Sequence, residues 1–276
     1  MGKIVKFRSL LLLVALTVSW SGNAQAAVIQ LTVTVRNLAP TNSVSFAPLR
    51  IGINNGTFDS FNIGTTATAP IVSIAEGGSG SDWFPAFAAA DPNAVVSTVG
   101  GALVPLGNVG VGFVNSASRI FTVDTNVNRF FTFASMVIPS NDLFIGNDNP
   151  AAFQILDNAG NLLISQINQT ASQIWDANSE VAIAANAAFV QGGVNANRVA
   201  ENGLVAFDRS ELAVFNGLTT GAGYVFNDSS LTATTNIAQI SFSVTPVPEP
   251  SSLALMGGLI GIGVVVRRFR KKHSKI

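Results

Sequence analysis

Along residues 28–36, V-I-Q-L-T-V-T-V-R, apolar and polar side chains alternate: Ile29, Leu31, Val33 and Val35 fall on one face, Gln30, Thr32 and Thr34 on the other. A period of two predicts a strand with one buried and one wet face. Residues 237–244, I-A-Q-I-S-F-S-V, alternate likewise through Ala238, Ile240, Phe242 and Val244. Between them, residues 119–123 (R-I-F-T-V), 129–138 (R-F-F-T-F-A-S-M-V-I), 151–156 (A-A-F-Q-I-L) and 162–167 (L-L-I-S-Q-I) read as further strands. The last two are expected to form a hairpin across D-N-A-G-N at 157–161, because Asp, Asn and Gly are turn formers. Recurrent Ala predicts a helical patch over 180–191, whereas weak periodicity and many small residues predict a loop-rich stretch over 67–110. No repeat of fixed period is present. The pattern predicts an all-β fold, an antiparallel β-sandwich, and 19 Phe against three Trp and one Tyr suit an apolar core between two sheets.

The pattern breaks at both ends. The chain opens with M-G-K-I-V-K-F-R, an apolar run and then A-Q-A, which reads as a secretory signal peptide over residues 1–26, removed by signal peptidase after Ala26. Near the other end P-V-P-E-P-S-S (246–252) precedes the apolar run L-A-L-M-G-G-L-I-G-I-G-V-V-V (253–266) and the basic R-R-F-R-K-K-H-S-K-I. As a helix that run would rise about 21 Å against a hydrocarbon core of about 30 Å. It is marginal alone, but the adjacent cations can snorkel and favour the cytoplasmic side. The expected organisation is therefore a signal peptide (1–26), a folded body (27–245) and a tail (246–276) with a transmembrane segment over 253–266.

Charge sharpens this division. The 15 Lys and Arg balance 15 Asp and Glu over the whole chain, yet nine of the cations lie in the terminal segments. The body holds six Arg, no Lys and 14 acids, a net charge of −8. A nucleic-acid partner is excluded, since neutralising phosphates needs clustered cations. With no Cys, and with His273 of the tail as the only His, the body has no Cys/His zinc site, Cys nucleophile or Ser-His-Asp triad. It must also be held by core burial without disulfides.

The three-part tail resembles the PEP-CTERM sorting signal, recognised by exosortase transpeptidases of Gram-negative bacteria. The resemblance implies that Pro248, Glu249 and Pro250 are the recognition and processing residues. Two prolines fix φ and remove backbone donors, leaving an extended peptide that an enzyme at the membrane can thread. The inner membrane is then a transient partner, and the expected location is the envelope surface or the exterior.

The body resembles the spondin domain of F-spondin and mindin. The likeness runs over roughly residues 28–242 and is carried by S-M-V-I-P-S-N-D-L-F-I-G-N (135–147), I-W-D-A-N-S-E (174–180), and the openings L-T-V-T-V-R-N-L-A-P (31–40) and L-R-I-G-I-N-N-G-T-F-D-S-F (49–61). The family patterns are M-I-x-P-S-P-D-W-F-V-G and W-D-A-G-T-D/E. The resemblance implies a β-sandwich that binds calcium through loops at one end, of a kind used in adhesion. Carried across, the two motif aspartates are Asp142 and Asp176, with Glu180 as an added carboxylate. All are hard oxygen donors of the type calcium takes. Two positions depart: Thr122 in F-T-V-D stands where the family has a Glu ligand, with Asp124 as a substitute only if its loop shifts, and Leu143 stands where the family has Trp. Two readings of the aspartates stay open, calcium ligands or acceptors for loop backbone.

The expected function is that of a non-enzymatic exported surface or matrix protein, sorted at its C-terminus, with a calcium-assisted domain for binding exopolysaccharide or a surface glycan or protein. The alternative is a secreted carbohydrate-active hydrolase using Asp142 and Asp176 as paired carboxylates.

Overall fold

A computed structural model describes residues 28–110 and 112–247. The expected signal peptide with Ala26, the Pro248, Glu249 and Pro250 hinge and the 253–266 span lie outside the described residues. Among the described residues, no helix is long and apolar enough to cross a membrane.

The elements in chain order are β1 (Val28–Asn37), β2 (Ser45–Phe46), β3 (Leu49–Asn54), α1 (Ala69–Gly77), α2 (Trp83–Ala90), β4 (Val95–Val99), β5 (Ser116–Asp124), β6 (Phe130–Ile138), β7 (Leu143–Gly146), β8 (Gln166–Thr170), β9 (Trp175–Asp176), β10 (Ala206–Phe207) and β11 (Asn236–Pro246). They form two antiparallel sheets. One has four strands in the order β5-β1-β11-β8; the other runs β10-β9-β7-β6-β3-β4, with β2 also paired to β6. First and last strands are neighbours: β1 pairs β11 from Ile29↔Pro246 to Asn37↔Ala238.

The alternation read from the sequence decides which side chains enter the space between the sheets. Ile29, Leu31, Val33 and Val35 of β1 and Ile240 and Phe242 of β11 are buried there, against Ile51 and Ile53 of β3 and Phe131 and Phe133 of β6. Phe131 and Phe242 meet edge to face across the layer, with centroids 4.9 Å apart. Polar Thr32 and Thr34 lie on the opposite, wetter face of β1, as its period requires.

The larger sheet is covered on its outer side too. Ala134, Phe144 and Trp175 point away from the first core and join Ile71 and Ile74 of α1 and Trp83 and Phe87 of α2 in a second apolar cluster. This explains why β6 is an almost unbroken buried run. It also corrects the expectation for residues 67–110, which contain two helices and β4. Helix α1 has proline in its first turn and stops at Gly78, whose left-handed φ of 62° lets its N–H bond the Ile74 carbonyl. Its apolar Ile71, Ile74 and Ala75 follow helical spacing, but with too few polar positions opposite them to stand out as amphipathic.

Two further expectations are corrected. Within 180–191 only one 3₁₀ turn forms, at Ala184–Asn186. Backbone donors flanking it are committed elsewhere, Val181 N–H to the Val199 carbonyl and Ile183 N–H to the Asn141 side chain. The 157–161 turn does form, with the Asp157 carboxylate accepting from Ala159 and Asn161 N–H at 2.8 Å. Its flanks, however, meet only through the isolated bridge Leu156↔Leu162, and the following strand starts at Gln166.

Helix α2 is seated through a glycine. A Cβ at Gly52 would lie 2.2 Å from Cζ of Phe87, which no buried ring can tolerate without moving. Gly52→Ala is expected to lower stability by about 1–3 kcal/mol through overpacking, and Phe87→Leu in the same chain to recover part of it. Paired thermal melts check this; an unchanged melting temperature in Gly52→Ala would mean that α2 is not seated on β3.

Candidate metal centre

Three carboxylates converge at one end of the larger sheet. Asp142 ends the turn between β6 and β7, where the Ser140 hydroxyl oxygen accepts from Leu143 N–H. Asp176 sits on β9, paired in register with Leu143 on one side and Ala206 on the other. Glu211 lies in the 3₁₀ turn Ser210–Phe215, which is anchored by buried Leu212 and Phe215. One oxygen from each of Asp142, Asp176 and Glu211 falls within 4.8 Å of the others. Two sequence-predicted residues are thus brought together.

The third partner is not the expected one. Glu180 lies outside the three-carboxylate group: its Oε1 accepts from the Asn141 amide at 2.8 Å, and its Oε2 lies 3.9 Å from Nε of Arg198. Arg198 also bonds Glu76 at 2.5 Å and donates to the Ser179 carbonyl, so Glu180 belongs to an ion-pair network that braces the 177–183 loop. Thr122 and Asp124 are remote as well. They sit exposed on β5 of the other sheet, and the Asp124 carboxylate caps Asn126 N–H. Glu211 was missed because it lies far from both motifs in sequence, in a segment with no strand or helix pattern.

The two oxygens of Asp142 have different duties. Asp142 is fully buried; Oδ2 accepts from Ser179 N–H (2.6 Å), Glu180 N–H (2.9 Å) and the Ser179 hydroxyl (3.2 Å). The backbone-acceptor reading of this aspartate is therefore correct for one oxygen. Its Oδ1 is buried without a hydrogen-bond partner among the described residues, as is Oε1 of Glu211. Asp176 turns one oxygen to Asn178 N–H at 2.7 Å, and Asn178 adopts a left-handed φ of 48° that bends the loop back over Asp142.

Buried carboxylates so close together resist ionising jointly. Burial, and then the charge of Asp142, push Asp176 up to about 7. Burial, reinforced by Asp142 and Asp176, pushes Glu211 up to about 9. Burial also raises Asp142, opposed by the hydrogen bonds from Glu180 and Ser179. Unpartnered buried oxygens carry a desolvation cost, and two such oxygens on residues that converge with a third carboxylate make a demand that a hard cation would meet. Carboxylate oxygens are the donors calcium prefers, and its coordination tolerates irregular geometry. The residues present therefore fit a calcium ion, which would be held by Asp142, Asp176 and Glu211.

A family model for the PEP-CTERM protein-sorting motif matches residues 246–271. The match supports export and sorting to the cell envelope surface, with exosortase as the enzyme that recognises the motif. Comparison with curated proteins finds no match.

Proposed function

We propose that this chain is a non-enzymatic exported surface protein, cut at Pro248-Glu249-Pro250 by an exosortase, whose body is a spondin-like, calcium-assisted adhesion domain. The sorting half rests on the PEP-CTERM match over residues 246–271. The binding half rests on one observation, the buried and unpartnered Oδ1 of Asp142 within the group formed with Asp176 and Glu211.

The spondin-like reading is supported by the two antiparallel sheets, by the meeting of both motif aspartates, and by Asn178. Asn178 occupies the glycine position of the W-D-A-G pattern and has a positive φ, a conformation that Gly and Asn tolerate best. Hydrolysis is less well supported. Glycoside cleavage places two carboxyl groups about 5 Å or more apart, flanking a sugar, whereas here three crowd around one point.

The sorting reading is tested by intact-mass analysis of the protein recovered from the cell surface. The expected mass lacks residues 1–26 and everything beyond the hinge. A surface form retaining 253–276 would refute processing. Calcium binding is tested by titration calorimetry of the full-length protein with calcium and with magnesium. Only calcium is expected to bind, because magnesium demands near-ideal octahedral geometry and retains its waters.

A further inference from the structure

Beside the metal centre, a cavity of about 420 Å³ is lined by Ser172, Ile174, Phe207, Asp208, Arg209 and Ser210, among others. Its volume lies in the roughly 300–1,000 Å³ range of small-ligand sites. One wall is aromatic. Phe207 of β10 is half exposed, and its ring stacks on Trp175 at 3.6 Å and 24°. The two are cross-strand partners, and Trp175 is itself fixed by its indole N–H donating to the Gly146 carbonyl. An exposed ring held this firmly is a preformed apolar platform, and leaving it in water costs hydrophobic free energy.

The polar lining sits next to that platform. The Asp208 carboxylate spends Oδ1 on Arg209 and Ser210 N–H. The partly buried Arg209 guanidinium has no hydrogen bond or ion pair within 4.0 Å among the described residues. Hydroxyls of Ser172 and Ser210 complete the rim. A flat apolar ring beside donors and acceptors of both kinds matches a pyranose, which offers C–H groups on one face and hydroxyls around its edge. The acidic surroundings disfavour a carboxylated sugar: Asp208 in the lining is held below the usual carboxylate range, chiefly by the hydrogen bond from Ser210 N–H, and so stays ionised, and the body carries net charge −8. Like charges this close would repel it.

We infer that this cavity binds a neutral pyranose unit of a polysaccharide, with Phe207 stacking on the ring and Arg209 and Asp208 bonding its hydroxyls. The inference rests on the proposed surface-binding role and names the chemistry of the partner. Affinity electrophoresis of the full-length protein in detergent tests it, using gels containing neutral glucans, mannans and galactans, or the acidic hyaluronate and chondroitin sulfate. At least one neutral polymer is expected to retard the protein. Phe207→Ala is expected to weaken that retardation about tenfold, Phe207→Trp to preserve it, and Arg209→Gln to weaken it several-fold. Phe207→Ala is also expected to keep the wild-type melting response to calcium, which shows that the fold and the ion site survive. Retardation by no neutral polymer, by acidic polymers alone, or equally in Phe207→Ala overturns the inference. Retardation that depends on Phe207 in a protein indifferent to calcium would sink the metal reading and leave the sugar site standing; the reverse result would do the opposite.

Discussion

In millimolar calcium the protein is expected to melt several degrees higher than in chelator, with the gap widening from pH 6 to pH 9. The direction follows from the raised carboxyl groups. Asp176, at about 7, and Glu211, at about 9, hold their protons more tightly in the folded chain than in the unfolded one. Their stabilising contribution is complete below about pH 4, the ordinary carboxylate range, and is lost as pH rises through about 7 and then about 9. Without metal, the protein therefore becomes less stable toward alkaline pH as charges accumulate around Asp142. A calcium ion held there would neutralise those charges and at low pH would compete with their protons, so its benefit is expected to grow as they ionise. With a dissociation constant of about 10⁻⁴–10⁻³ M, usual for extracellular calcium modules, a tenfold excess contributes about 1.4 kcal/mol, a shift of a few degrees.

Asp142→Asn isolates the cause. The amide oxygen can still accept from Ser179 and Glu180 N–H, as Oδ2 does now, while its NH₂ turns toward Asp176 and Glu211 as a neutral donor. The variant is expected to lose the calcium response and, metal-free at pH 9, to melt no lower than the wild type. Differential scanning calorimetry over pH 6–9 reads both. A melting temperature indifferent to calcium and chelator at every pH would remove the ion from the account of this site.

Replacing Pro248, Glu249 and Pro250 together with alanine is expected to abolish surface display and leave the protein in the inner membrane. The substitution removes the two prolines and the acidic side chain from the sorting motif matched at residues 246–271, and with them the fixed φ angles that proline supplies. The apolar run and the six cations of the tail remain, so membrane insertion is expected to be unaffected. Fractionation with an antibody to the body would detect the trapped form, which is heavier than the surface form by the uncut tail. Normal display of the triple variant would end the processing idea.

Legibility differed sharply between parts of the molecule. Strands β1, β5, β6 and β11 could be read because side chains alternate between a core and a wet face, or are apolar on both, and this signal is local. Helices α1 and α2 are short, and the surface they cover is the outer side of β6, β7 and β9. Their apolar faces make sense only once that sheet exists. Residues 151–156 had the composition of a strand, yet Phe131 N–H bonds the Phe153 carbonyl and Ile155 N–H bonds the Arg129 carbonyl, an irregular seam set by the entry of the chain into β6. At the site, Asp142 and Asp176 were legible because each lies in a compact motif. Glu180 was misassigned because proximity in sequence placed it near Asp176, while Asn141 and Arg198 turn its carboxylate elsewhere.

The sequence by itself determined the acidic composition of residues 27–245, the sorting motif that follows them, the β character of the body, and two of the three converging carboxylates. Those properties reside in composition, in a period of two and in contiguous motifs, all of which act over a few residues. Only the tertiary structure decided that Glu211 is the third carboxylate, that helices close the outer face of the larger sheet, and that Phe207 lies on Trp175 as a rigid exposed platform. Each depends on segments far apart in the chain meeting at a cost in chain entropy that the shared burial offsets, and no local pattern records which segments will meet.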